Sequence, residues 1–181
     1  MNPGSLLIAD PSVIGDNNFH RSIILLVEHD HNGSFGFIIN NPLNYTTNDI
    51  TIEMEYDFPL YYGGPVDQEN LFFVHKMGNL IPNSVQIQND LYWGGDFKKT
   101  ISLINDQQLN VNDIKFFLGY SGWSPNQLNL EIESKSWIVK KNSNSSEIFR
   151  NKSKSLWSKK MKELGGDFIL WSNSPENPYE N

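Results

Sequence analysis

A single-domain α+β fold is what this sequence predicts, and three observations carry the prediction. Residues 20–43 read as two strands joined by a tight turn: 23–27 is a continuous apolar run, 35–39 is nearly one, and Asp30-His31-Asn32-Gly33 lies between them. Further short apolar stretches, bounded by Gly, Pro and Asn, recur down the chain as strands do. A few segments carry helical spacing behind a start signal instead. A length of 181 residues suits one domain with its own core. No internal repeat or second domain is evident, so the domain is expected over residues 1–171. Residues 172–181, with two prolines, no aliphatic side chain and a lone Tyr179, are expected to form a flexible tail.

In chain order, residues 5–9 read as a first strand, stopped by Asp10-Pro11, because proline removes a ladder donor and forces its predecessor out of the helical region. Residues 14–18 form a turn into the hairpin. The hairpin's Asn-Gly pair suits a type I′ turn, and strands apolar on both faces predict burial on both sides. Residues 46–55 are open between a short helix capped by Thr46 or Thr47 and a strand in which Ile50, Ile52 and Met54 alternate. Residues 58–62 are a brief extended piece. Gly63-Gly64-Pro65 then makes a sharp turn, since glycine reaches angles closed to other residues.

Residues 71–75, 84–88 and 91–93 read as strands. Asp96 caps a helix running to about Asn105, with Phe97, Ile101 and Ile104 on one face. Residues 114–120 form a strongly apolar strand. Ser124, Pro125 and Gln127 make a capping box with proline at the first helical position. The alternation of Leu128, Leu130 and Ile132 argues for a strand there, but the start signal has a specific mechanism and predicts a helix over 124–133. Residues 137–139 are a strand and 142–146 a polar loop. A last helix starts at Ser153 or Ser155, shows Trp157, Met161 and Leu164 on one face, and stops at Gly165-Gly166. Residues 168–171 read as a terminal strand.

Net charge is −7, from 21 acidic and 14 basic residues, which opposes a general role on DNA or RNA. The absence of cysteine excludes disulfides, thiolate nucleophiles and cysteine metal sites. The first residues lack the basic and apolar regions of a signal peptide, and no apolar run approaches the roughly 20 residues needed to span a bilayer. A soluble, cytosolic protein without membrane association is expected.

Gly4-Ser5-Leu6-Leu7-Ile8-Ala9, then Phe19-His20-Arg21-Ser22 running into Glu28-His29, and Gly36 followed by Asn40 and Pro42 stand in order. Gly63-Gly64-Pro65-Val66, His75, Gly119-Tyr120-Ser121-Gly122-Trp123, Gln127-Leu128, Glu131-Ile132 and Trp137 follow at natural spacing. With this series the chain resembles the YqgE/AlgH family of bacterial proteins over residues 4–165. The resemblance implies an α+β fold with a curled, partly barrel-like, mixed or antiparallel sheet flanked by helices. It implies no assigned biochemical role; one branch is linked to regulation of exopolysaccharide genes, a link that need not involve DNA contact. Several members have Cys at the position of Val27, so thiol chemistry fails for this chain. Members usually have Arg at Asn41 and Ala at Ser121.

His29-x-His31, with His20 and His75, raises a zinc site, since alternate strand residues share a side. His31 sits in the turn, however, and no acidic or cysteine ligand completes the spacing, so no metal or other cofactor is expected. Gly119-Tyr120-Ser121-Gly122-Trp123, lying between a strand and a helix, has the outline of a nucleophile elbow. That turn needs a small residue where Trp123 stands, and a tight turn with Trp123 filling the core is the simpler reading. Arg21, Glu28, His29, Asn40, Gln127 and Glu131, with Tyr120, are the candidate ligand-binding residues. One account of the set is a salt-bridged network tying the hairpin to the 124–133 helix. The other is a polar cleft for a small anionic or amide-bearing ligand, with donors from the amides near Gly122 and from the helix start.

Arg150, Lys152, Lys154, Lys159, Lys160 and Lys162 form the one basic cluster, read as the solvated face of the last helix. The functional expectation is binding of an unknown small molecule or protein, or regulation, without catalysis. The alternatives are an enzyme using Arg21, Glu28 and His29 as an acid–base set, and a transcriptional regulator acting indirectly.

Overall fold

Strands that are apolar on both faces need cover on both sides, and the chain supplies it by curling one sheet and laying helices against it. The computed structural model describes residues 1–142, 144–150 and 155–174, with only the backbone of Arg150 among them. The strands are β1 (Leu6–Ala9), β2 (Ile23–Asp30), β3 (Gly33–Ile38), β4 (Pro42–Thr46), β5 (Pro59–Tyr62), β6 (Val66–His75), β7 (Val85–Gln88), β8 (Leu91–Trp93), β9 (Ile114–Trp123) and β10 (Trp137–Lys140). The helices are α1 (Phe97–Asn105), α2 (Gln127–Glu133), α3 (Ser146–Arg150), α4 (Leu156–Leu164) and α5 (Phe168–Ser172). The sheet runs β10-β1-β2-β3-β9-β6-β8-β7, with β4 and β5 as a side branch. It is open, and antiparallel except where β5 lies parallel to β9.

The hairpin is buried as its apolar runs predict. Ile23, Leu25 and Val27 join one core cluster with Phe37 and Phe117. Ile24, Leu26 and Ile38 join another on the opposite face, with Trp123, Leu128 and Trp137. The turn differs from the type I′ expected. Positive φ falls on Gly33 (φ 142) and not on His31 or Asn32. Asp30 Oδ1 accepts the Asn32 N–H at 2.7 Å, an Asx-type closure that leaves the Asn backbone free of the left-handed region. A Cβ on Gly33 would also press on the Trp123 carbonyl oxygen.

The first cluster shows how far the sheet curls. Leu6 and Ile8 of β1 share it with Ile87 and Leu91 from the far end. Near the two edges, Gln88 Nε2 donates to the Asn142 carbonyl at 3.1 Å, and Gly4 packs directly on the Gln88 side chain. Ile148 and Phe149 of α3 and Leu156, Trp157 and Met161 of α4 cover this cluster. Ile101, Leu103 and Ile104 of α1 cover a third cluster built on Leu60, Phe73 and Phe116.

Several expected elements are corrected. Residues 119–123 continue β9 and do not turn, which removes the nucleophile-elbow geometry. The helix after them starts at Gln127, because Asn126 at φ +63 breaks the first turn; Gln127 Oε1 still accepts the Ser124 N–H at 3.0 Å, half of the expected box. In residues 46–55, Thr46 ends β4 and a single 3₁₀ turn, Thr47–Asp49, follows, with Asp49 Oδ2 accepting the Thr46 N–H at 2.7 Å. The helix α3 lies partly in what reads as polar loop. Residues 168–171 are helical, not a strand: Gly165 and Gly166 (φ +76 and +55) redirect the chain after α4. Four apolar residues carry no period that separates the two states. Ser172 closes α5, and 175–181 lie outside the described residues.

The Phe37 and Phe117 rings stack at 4.7 Å in the middle of the first cluster, and both side chains are fully buried. Phe117→Ala is expected to cost about 3–5 kcal/mol, read as a lower urea midpoint with an unchanged slope.

Candidate functional site

The predicted polar residues fall into separate groups. Arg21 precedes β2 with φ +55, and Asn40 holds that backbone: its Nδ2 donates to the Arg21 carbonyl at 2.9 Å while its Oδ1 accepts the Ile23 N–H at 2.8 Å. The Arg21 guanidinium donates to the Ser174 carbonyl at 2.7 Å and hydroxyl at 2.8 Å, and lies 5.0 Å from the Trp157 ring centre. His29 Nδ1 and Ser34 Oγ are 2.7 Å apart across the hairpin. Glu131 Oε2 accepts the indole N–H groups of Trp123 (2.9 Å) and Trp137 (2.7 Å), and its Oε1 accepts from Gln127 Nε2 (3.0 Å).

The expected salt bridge from Arg21 to Glu28 or Glu131 is therefore not formed among the described residues. The reason is length. Arg21 and Glu28 stand at opposite ends of β2, about 20 Å apart at ~3.3 Å per residue, and Glu131 is already committed to two indoles. A polar recess of about 270 Å³ between Asn17, His20, Arg21, Ser22 and Asn40 collects another part of the set. The donors expected from a turn near Gly122 are not available, since Gly122 is a strand residue and α2 has seven residues.

Glu28 and Tyr120 come together elsewhere, in a cleft of about 540 Å³ between the hairpin tip, β6, β8 and β9. A bulge between Leu26 and Glu28 shifts the register so that Glu28 pairs with Phe35. Phe35, Phe72, Trp93 and Tyr120, all partly exposed, form the apolar wall. Their rings meet nearly at right angles: Trp93 on Phe35 (5.0 Å, 78°), Phe35 on Tyr120 (5.7 Å, 72°) and Tyr120 on Phe72 (5.6 Å, 77°). Glu28 and Asp30 stand at the rim, and among the described residues no Lys, Arg or His lines the cleft. The Asn32 amide holds the Asp30 carboxyl below the usual carboxylate range. The Trp93 indole N–H is buried without a hydrogen-bond partner among the described residues. A second cleft of about 660 Å³ shares Phe72 and Trp93 and is lined further by Leu71, Phe97 and Glu69.

Sequence reading missed one buried titratable group, Lys115, and named the other, His75, only in the motif series and as a possible metal ligand. Lys115 is 4% exposed; its Nζ donates to the Ile39 (2.7 Å) and Ile148 (3.1 Å) carbonyls and sits 3.7 Å from the Tyr61 ring centre. Burial pushes its pKa down to about 7. The available signal was a lone charge inside the apolar run 114–118. His75 is fully buried, accepts the Met77 N–H on Nδ1 (3.1 Å) and lies 3.1 Å from the Gly94 carbonyl through Nε2. Burial lowers its pKa to about 4, so the ring is neutral.

Of the basic cluster, Lys152, Lys154 and the Arg150 side chain lie outside the described residues. Lys160 pairs with Glu147 (2.8 Å) and Glu163 (3.0 Å), and Lys159 with Glu147 (3.3 Å). Among the described residues no group of three His, Asp or Glu side chains could hold a metal ion, and no helix is long and apolar enough to cross a membrane.

Comparison with known proteins gives a consistent result. A family model described as AlgH-like matches residues 6–169. A UPF0301 protein of Cytophaga hutchinsonii is 40% identical over 180 residues, covering 98% of each chain. One of Parabacteroides distasonis is 39% identical over 181 residues, covering 98% of this chain and 90% of its own. The fold matches the solution structure of the AlgH protein from Pseudomonas aeruginosa with a TM-score of 0.74, at 22% identity over 96% of this chain and 94% of that one. A crystal structure of a Corynebacterium diphtheriae protein gives the same TM-score at 23% identity, over 96% and 93%.

The two buried groups each contribute a slope to the pH dependence of stability. An unfolded lysine titrates near 10.5 and Lys115 at about 7, so the unfolded chain holds the extra proton between them and stability rises with pH over that window. His75 titrates at about 4 against 6.5 unfolded, so stability falls as pH drops through that range. Urea midpoints across pH are expected to show both slopes, with the alkaline rise absent in Lys115→Met.

Proposed function

The chain belongs to the AlgH-like family, and on that premise we propose that it acts by binding and not by catalysis, taking a small molecule into the aromatic cleft. The observation that carries this reading is a concave site whose four rings pack in an unbroken row yet stay partly exposed. Sites of this size, largely apolar with a few polar groups, are the usual form of a ligand pocket.

The enzyme alternative draws no support from the geometry. An acid–base set must converge on one substrate atom, and Arg21, Glu28 and His29 do not converge. Arg21 is held at Ser174 and Trp157, His29 is engaged by Ser34, and Glu28 alone reaches the cleft. Direct DNA contact is equally unsupported: the chain is acidic, and Lys159 and Lys160 are paired with carboxylates. A regulatory role would then run through the bound ligand or a protein partner, in the cytosol.

The test is a thermal-shift panel of small metabolites on the wild type and on Tyr120→Leu. A ligand of the cleft raises the wild-type melting temperature by mass action and is expected to lose most of that effect in Tyr120→Leu. Equal shifts in both proteins, or chemical conversion of a stabilising compound during incubation, would refute the reading.

A further inference from the structure

The walls and the rim of the cleft together select a charge. Four partly exposed rings packed edge to face in a row give a wall whose electron-rich faces attract a cation more than a neutral group of the same shape. Glu28 and Asp30 add two carboxylates at the mouth; no Lys or Arg stands among the described lining residues, and His31 lies near Asp30. An anion would meet those carboxylates first. Among the described residues a bare metal ion finds no convergent set of three ligands. An organic ammonium ion satisfies both the rings and the carboxylates, keeping its apolar substituents against the former.

We propose that the cleft binds an organic ammonium ion, its cation set against the wall of Phe35, Phe72, Trp93 and Tyr120 and facing Glu28. The assignment rests on the reading of the cleft as the binding site and names the chemistry it selects. Glu28 supplies the long-range attraction that brings the cation to the mouth.

Choline is the probe, titrated calorimetrically at low ionic strength against its neutral isostere, in which a tert-butyl group replaces the trimethylammonium. Choline is expected to bind about tenfold more tightly than the isostere. Glu28→Gln, a change at an exposed side chain, is expected to weaken choline several-fold and leave the isostere unchanged. If the isostere binds as well as choline, the cleft stands as an apolar site and the ammonium assignment falls. If neither choline nor the isostere gives heat in the wild type, and the metabolite panel also leaves wild type and Tyr120→Leu alike, the cleft itself is not a binding site.

Discussion

One strand serves three neighbours, and the architecture depends on how that is done. One edge of β9 is taken by β6 along most of its length, and the other is divided, with β5 alongside residues 116–118 and β3 alongside 121–123. A divided edge risks stranded backbone groups at the join, each costly if buried. Gly63 closes the gap: its N–H donates to the Leu118 carbonyl at 2.8 Å, and its carbonyl accepts the Ile38 N–H at 2.9 Å and the Ser121 hydroxyl at 3.1 Å. A Cβ on Gly63 would overlap the Gly119 carbonyl, and one on Gly64 the backbone of Tyr120 and Ser121. The two glycine motifs that carry the family resemblance are therefore the two sides of one backbone crossing. The serine that looks nucleophilic is a buried hydroxyl spent on that crossing.

Branching the sheet at β9 lets its far ends approach each other, and Lys115 stands where the resulting barrel-like interior needs a polar anchor. It donates to the end of the hairpin through Ile39 and to α3 through Ile148, so one side chain joins sheet to helix cover. Breaking such a site leaves two carbonyls without their donor, whereas keeping it requires an amine far from water. The lowered pKa is the sign of that compromise. His75 shows the neutral solution to the same problem, with both ring nitrogens within hydrogen-bonding distance of fixed groups.

How much of this is legible in the residues follows from range. Hairpin, α1 and α4 are written locally, in apolar runs, an Asp96 cap whose side chain accepts the Lys99 N–H at 3.0 Å, and helical spacing. The division of β9 is not, because no local pattern says which strands share an edge. Residues 168–171 were too short for their period to decide. The candidate residues were readable as polar groups near element ends, but their grouping was not. A seven-residue strand span separates Arg21 from Glu28 once the hairpin is drawn to scale, and Glu131 binds indoles whose N–H groups were counted only as core. The aromatic cleft was legible in one member, Tyr120, since Phe35, Phe72 and Trp93 read as ordinary strand interior.

The exposure of those rings follows from where the strands stop. β8 pairs with β6 only at Val74 and His75, so β6 before that point has β9 on one side and no strand on the other. Phe72 lies in this uncovered stretch, Tyr120 stands opposite Val66 near the division of β9, and the β2 bulge brings Glu28 opposite Phe35. Two or three more residues of β8 would cover the cleft and bury rings worth roughly 25 cal/mol for each Å² withdrawn from water. A chain selected for stability alone would gain by closing it. That it stays open, with carboxylates and not lysines at its mouth, is a departure from the best-buried arrangement, and departures of this kind gather at functional sites.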